Sequence, residues 1–312
     1  MSLDFALSTR WNAFRHDDGE SLLTEIVEEV GLTRVELGYD LTINQVPGVI
    51  KLLQEGVVTC DSVHNYCPVP MGAPMGHPEL FLLASTDTRN RESAIKHTTS
   101  TIEFAVKVGA RVVVCHAGNV DMKRITGKLL DLAMADKQYS PKYERLKTKL
   151  LLTREKKVPR HLDHLSRSLE QLLPVLEDAG VALGLENLPT WEAIPTEIEM
   201  QTLAERFNSP FLRYWHDFGH AQIRHNLGLI SHANWLERLN SRVAGFHIHD
   251  VKAPGHDHLL PPHGDMDFSQ FSGLVPPDAV KVFEPGPGIP AEVLKEGIRI
   301  VSEAWQQPVD SE

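Results

Sequence analysis

Short apolar or β-branched runs recur along the chain, each followed by a polar turn and then by a helical pattern. The runs that read as strands are Phe5–Ser8, Arg34–Leu37, Val57–Val63, Arg111–His116, Val181–Glu186, Leu212–Asp217, Val243–His247 and Ala279–Glu284. Between them lie helical stretches such as Ser21–Val30, Ile95–Val108, Leu162–Ala179, Ile198–Phe207 and Ala291–Trp305, the last four with apolar residues three and four apart. Glycines 31, 56, 109 and 180 stand where a helix ends before strands two to five. Strand and helix alternating eight times predict a parallel sheet, and eight units in 312 residues predict a closed (β/α)8 TIM barrel. The competing open, doubly wound sheet is disfavoured because no GxGxxG follows the first strand. The expectation is a single domain over residues 1–312.

One stretch breaks the spacing. Ala117–His161, after strand four, contains KRITGK, KYERLKTK and TREKKVPR and reads as an inserted pair of basic helices above the barrel mouth. A solvated helical face accounts for such charge runs most simply. A lid, a phosphate clamp or a subunit contact are the functional alternatives.

Composition narrows the class. Hydrophobic residues make up 42% and charged residues 23%, ordinary for a globular protein with a large core. No run approaches the roughly 20 apolar residues that cross a bilayer. The N-terminus lacks a basic segment followed by an apolar one, so no secretory signal and no membrane association is expected, and a cytoplasmic location is the default. Three cysteines, Cys60, Cys67 and Cys115, are too few and too scattered for a disulfide framework or a Cys-based zinc site. Cys115 reads as a small buried residue. A net charge of −11 counts against a nucleic-acid partner.

The chemistry lies at the strand ends. Strand three ends in SVH with His64, strand four in CHAG with His116, and strand five in GLEN with Glu186. Strand six ends in HDFGH with Asp217 and His220, strand seven in HIHD from His247, and strand eight in FEPG with Glu284. In a parallel barrel these ends meet in one ring at the C-terminal face. Any one histidine there reads more simply as a hydrogen-bonded structural residue, and Asn187 and Asp250 as helix caps. The concentration is harder to explain that way, because crowded carboxylates and imidazoles need a neutralising cation. Three carboxylates and one imidazole, from strands five to eight, make a hard site for Mn, Mg or Co, with Zn possible. The additional histidines His64, His116, His220 and His258 shift the expectation toward Zn or a cluster.

The motifs GLEN (184–187), DFGHA (217–221), HIHD (247–250), HLLPPHGDMDF (258–268) and FEPG (283–286) occur in order on successive strands. In them the chain resembles the xylose isomerase-like barrel superfamily, which holds sugar and sugar-phosphate isomerases and epimerases together with AP endonucleases of the endonuclease IV type. The resemblance covers nearly the whole chain. It implies that Glu186, Asp217, His247 and Glu284 are the shared metal ligands, with His247 favoured over His249. It implies that His220 touches substrate or binds an extra metal, and that His64 and His116 match ligands of the endonuclease type. Two positions depart from the characterised branches. The aspartate expected two residues before His258 is His256, with Asp257 adjacent, and the arginine that epimerases carry six residues past His247 is Ala253.

The expected activity is a divalent-metal-dependent isomerase or epimerase acting on a small carbohydrate by enediolate proton transfer. Glu186 and Glu284 are the expected acid/base pair. His220, His64, His116, Trp191 and His258 are the candidate substrate contacts, and Trp11, Asn12, Tyr66 and His249 are further loop side chains that could set specificity. A multi-zinc phosphoesterase is the main alternative, followed by a metal-dependent lyase or dehydratase and by a barrel with a merely structural metal. A homo-oligomer is possible for such barrels.

Overall fold

A computed structural model describes residues 4–306. Eight parallel strands close into a barrel. They are β1 (Phe5–Ser8), β2 (Arg34–Leu37), β3 (Thr59–His64), β4 (Val112–Cys115), β5 (Ala182–Glu186), β6 (Leu212–Asp217), β7 (Val243–Ile248) and, after an antiparallel hairpin of β8 (Asp250–Lys252) and β9 (His256–Leu259), β10 (Val280–Phe283). Each strand pairs with its sequence neighbour in the barrel, and β10 returns to pair with β1. Three of the eight expected strands match to the residue, and the others shift at their ends by one or two positions.

The helices on the outside are α1 (Gly19–Glu25, continued by a π-helical segment Ile26–Val30), α2 (Val46–Gln54), α3 (Thr88–Val108), α4 (Thr126–Met134), α5 (Pro141–Ala179), α6 (Glu197–Phe207), α7 (Phe218–Asn226), α8 (His232–Leu239) and α9 (Ala291–Gln306). Gly109 and Gly180 end α3 and α5 in left-handed conformation, at φ of 76° and 66°, which a side chain would disfavour. Most of the apolar core lies between strands and helices. A smaller cluster of Ala6, Val112, Val114, Trp215, Val280 and Val282 fills the barrel itself. Trp215 is the large side chain of that plug, and it fits because its neighbour on β7 is Gly245, where a Cβ would lie 2.3 Å from the indole.

The basic segment differs from its expected form. It makes α4 and the first half of α5, which then runs without interruption into the barrel helix through Pro159 and Pro174. Pro159 does not break α5 because buried anchors flank it. Arg154 pairs with Glu199, and His161 donates from Nδ1 to Ala84 O at 2.8 Å. Most of the lysines and arginines of the segment are exposed, whereas Ile125, Leu129, Tyr143 and Leu150 pack on Ile223, Leu227 and Val251 next to the C-terminal ends of β6 and β7. Among the described residues no helix is long and apolar enough to cross a membrane.

Candidate metal centre

Side chains alternate along a strand, so one parity faces the barrel axis. On β10 the inward set Val280 and Val282 continues to Glu284; on β4, Val112 and Val114 continue to His116; on β6, Trp215 is followed by Asp217. The apolar plug thus gives way to a polar layer at the C-terminal end of the same strands. Glu36, Ser62, His64, Glu186, Asp217, His247 and Glu284 are all buried there.

His247 is the hub. Its Nδ1 lies 3.4 Å from Glu186 Oε1, 3.3 Å from Glu284 Oε2 and 3.8 Å from Asp217 Oδ2. The four residues expected from the sequence therefore converge. The other oxygen of Glu186 faces a second group, 3.1 Å from His116 Nε2 and 3.4 Å from His64 Nε2. His220 stands beside both, with Nδ1 3.3 Å from Glu186 Oε1 and 3.3 Å from Asp217 Oδ2. His258 caps the site from β9, stacked on His249 with ring centroids 4.2 Å apart.

Hydrogen bonds fix several imidazoles. Asn65 O lies 3.0 Å from His64 Nδ1, Asn187 O lies 3.0 Å from His220 Nδ1, and Glu284 O lies 3.1 Å from His258 Nδ1. A carbonyl only accepts, so each Nδ1 carries the proton and each Nε2 keeps its lone pair. On His64 that lone pair points at a carboxylate oxygen. Glu186 Oε2 is itself buried with no well-directed hydrogen bond. Acceptor facing acceptor is repulsive unless a proton or a cation sits between them. The donor set fits a divalent metal.

With the imidazoles protonated instead, the same crowding appears as shifted ionisation. Burial opposes the charge on Glu186, but His116 and His247 outweigh it and hold the carboxyl well below the ordinary range. Burial likewise opposes ionisation of Glu284, and His247 with Arg10 overcomes it. Arg10 Nη1 donates to Glu284 Oε1 at 3.2 Å. Burial disfavours the cation on His220, yet Asp217 and Glu186 raise it to about 9. His258 moves the other way, to about 4, through burial and its neighbour His249.

Above this ring lies a cavity of about 330 Å³ whose wall includes His116, His220, His258, Tyr39, His77, Glu79, Asn119, Arg124, Leu188, Pro189, Thr190 and Asp257. Larger cavities occur elsewhere, but they are not lined by these histidines. Its volume suits a small molecule. Arg124 enters from the basic segment because Glu192, buried in the loop after β5, accepts from Thr126 N at 3.0 Å and from Thr126 Oγ1 at 2.5 Å.

Residues 24–300 match the family described as xylose isomerase-like TIM barrel. The chain belongs to that family. The uncharacterized protein MJ1614 of Methanocaldococcus jannaschii is 25% identical over 263 residues, which cover 83% of each chain. The apo form of 3-keto-D-glucoside 4-epimerase, YcjR, from E. coli has the same fold at a TM-score of 0.67 and 15% identity, over 96% of this chain and 99% of that one. The IOLI protein solved with a zinc atom does so at 0.61 and 12%, over 97% and 96%.

In this xylose isomerase-like barrel several expected loop contacts lie elsewhere. Trp191 is not among the residues around the 330 Å³ cavity; its ring stacks between the guanidiniums of Arg154 and Arg224, at 5.6 and 5.2 Å. Trp11 Nε1 donates to Ile289 O, Asn12 Nδ2 to Leu22 O, and Tyr66 Oη to Phe81 O, so all three brace loops. His249 does reach the site, behind Asp217, with Nε2 3.0 Å from its Oδ1. Neither Asn187 nor Asp250 caps a helix. Asn187 Oδ1 accepts from Asp217 N and Tyr214 Oη, and Asp250 accepts from the amides of Val251, Gly264 and Met266. His256 is exposed, while Asp257 faces the cavity. All three cysteines are buried and unpaired.

Glu36 went unrecognised in the sequence. It is fully buried on β2, with Oε1 3.0 Å from His247 Nε2. The signal was a charged residue between Val35 and Leu37 in a strand whose neighbours are apolar. Arg10, Tyr39, His77, Glu79, Asn119 and Arg124 lie in loops or short turns where no periodicity marks them.

Proposed function

We propose that this barrel is a divalent-metal-dependent isomerase or epimerase of a small sugar or sugar phosphate. The observation that carries the reading is the convergence of Glu186 Oε1 and Glu284 Oε2 on His247 Nδ1 below a cavity of monosaccharide scale. Glu186, Asp217, His247 and Glu284 would hold the cation, of the Mn, Mg, Co or Zn class. When bound, such an ion polarises a carbonyl and acidifies the adjacent C–H.

The residues supply the proton handling. Glu186 Oε1 and Glu284 Oε2 lie 3.4 and 3.3 Å from the same nitrogen of His247, one from β5 and one from the end of β10, so either carboxylate can begin as base. The carboxylate takes the C–H proton, and the electron pair of that bond moves onto the carbonyl to give an enediolate. The other carboxylate, having taken a proton from solvent, gives it to the opposite face of that carbon, and the electron pair returns from oxygen to re-form the carbonyl. His220 Nε2, left for substrate because Nδ1 is bound to Asn187 O, can hydrogen-bond a substrate hydroxyl, as acceptor when the ring is neutral and as donor when it is protonated. Leu188 and Pro189 contribute apolar surface to the cavity wall.

The test is solvent isotope incorporation. Metal-loaded protein is incubated in D2O with a panel of ketoses and their monophosphates and followed by proton NMR. Exchange of one C–H next to the carbonyl, lost in Glu186→Gln with the fold retained, is the expected result. A folded, metal-loaded protein that exchanges no panel member and equally ignores the corresponding aldoses would overturn the reading.

One observation favours a second reading. Glu186 divides its oxygens between the His247 group and the His64–His116 group, and His220, His249 and His258 form a further cluster. Two or three zinc ions per chain, with hydrolysis of an activated phosphodiester, would move the assignment to phosphoester cleavage. The net charge of −11 argues against a polyanionic substrate.

A further inference from the structure

We infer that Glu36 is the positioning residue of the centre: its carboxylate takes the Nε2–H of His247 and thereby presents the Nδ1 lone pair to the cation. The inference rests on the metal reading above, but not on the reaction.

His247 has two nitrogens and two opposed environments. Nδ1 faces Glu186, Glu284 and Asp217 within 3.3–3.8 Å. Nε2 faces Glu36, 3.0 Å from Oε1 and 3.2 Å from Oε2. An imidazole that binds a metal through one nitrogen carries its proton on the other, and a carboxylate accepting that proton fixes both tautomer and ring orientation. The ring has little other freedom. The edge of Trp215 lies against it, with centroids 5.1 Å apart, and His64 is parallel to it at 5.8 Å.

Glu36 could instead be a ligand, since it lies near both His247 and Glu284. Its contacts argue otherwise. Oε1 and Oε2 both address Nε2, the nitrogen turned away from the other carboxylates, and Ser62 Oγ donates to Oε2 at 2.8 Å. A purely structural role is also a poor fit. A fully buried carboxylate is costly to desolvate, and its hydrogen-bond partners among the described residues are one hydroxyl and this imidazole. The carboxylate gains its compensation when Nε2 is a donor.

Asp217 is backed in a comparable way. His249 Nδ1 accepts from His258 N at 3.0 Å, which leaves its Nε2–H to donate to Asp217 at 3.0 Å. Arg10 does the same for Glu284. Three of the four expected ligands thus have a dedicated partner behind them, and for His247 that partner is Glu36.

The experiment reads metal binding, not turnover. Protein labelled with 15N-histidine is loaded with Zn²⁺, and the two ring nitrogens of His247 are assigned by the signals missing from His247→Gln. The expected state has the proton on Nε2 and the metal on Nδ1. In parallel, Zn²⁺ affinity is measured by chelator competition for wild type, Glu36→Leu and Glu36→Gln. Loss of the carboxylate should weaken binding about 10- to 100-fold, while glutamine, whose amide oxygen still accepts from Nε2–H, should recover most of it. Coordination through Nε2, or a folded Glu36→Leu protein with wild-type affinity, would overturn the inference while leaving the metal site intact. If Glu36→Leu does not fold, the nitrogen assignment in wild type decides alone. A wild type that takes up no divalent metal would overturn the site reading itself, and the inference with it.

Discussion

Replacing Gly245 by alanine tests whether the apolar plug supports the chemistry above it. A Cβ at Gly245 would stand 2.3 Å from Trp215 Cζ3 and 2.6 Å from Cη2. Restoring ordinary contact at about 3.4 Å requires the indole to move about 1.1 Å. The indole is fully buried in the plug and packs against His247 at a centroid distance of 5.1 Å, so it moves only by displacing neighbours. Overpacking of this kind costs about 1–3 kcal/mol, with the short contact favouring the upper end. Alanine in place of glycine also reduces the entropy of the unfolded chain and returns about 0.5–1 kcal/mol. The net loss is about 2 kcal/mol. An unfolding entropy of about 2.1 cal/mol/K per residue, summed over 312 residues, converts this to a fall in Tm of about 3 °C. The displaced indole also presses on His247, so metal affinity should fall about tenfold. Calorimetry and chelator competition measure both effects. Gly127→Ala on α4, where a Cβ meets nothing within 4 Å, is the control and should hold or raise the Tm. Adding Trp215→Phe to Gly245→Ala should restore part of both losses, because the two positions share one contact. If Gly245→Ala alone melts at or above wild type and binds metal normally, the tight packing between plug and site is wrong.

Other perturbations separate stability from function. Arg154→Met leaves Glu199 buried without its bidentate partner and should cost about 3–5 kcal/mol, read as a lower urea midpoint. Trp191→Leu should lower stability through its two guanidinium stacks yet change KM less than twofold; a large KM effect with normal stability would return Trp191 to the substrate site. His232 is held well below its ordinary pKa, first by burial and then by His216 and His225. The unfolded chain therefore binds a proton that the fold refuses, and the contribution of His232 to stability should fall as pH drops below about 6.5, by up to about 1.4 kcal/mol per pH unit. His232→Gln should flatten that slope in urea titrations between pH 8 and 5, and an unchanged slope would remove His232 as its source. Glu186→Gln should reduce turnover at least about 100-fold with little change in Tm, since volume is kept and a proton-transfer group is lost.

The alternation of short apolar runs and amphipathic helices determined the barrel, because backbone hydrogen bonding and burial leave few other solutions for eight such units. Strand ends were legible for the same reason. Residues that end parallel barrel strands meet at the C-terminal mouth, so His116 and Glu284 could be placed there without coordinates, and the structure adds that Val114 and Val282, two positions earlier, point the same way. Loops obey no such period. Trp191 was a candidate substrate contact but packs against Arg154 and Arg224, which lie 37 and 33 residues away in the chain and meet it only on folding. Arg124 reaches the cavity because Glu192 secures the start of α4, a contact across more than sixty residues. Glu36 was hidden differently. Its strand was found, but a single glutamate among apolar neighbours carries meaning only once His247, on a strand far along the chain, is seen to turn Nε2 toward it. Local periodicity encodes which way a side chain points; which atom it meets depends on closure of the barrel, and that is a property of the whole chain.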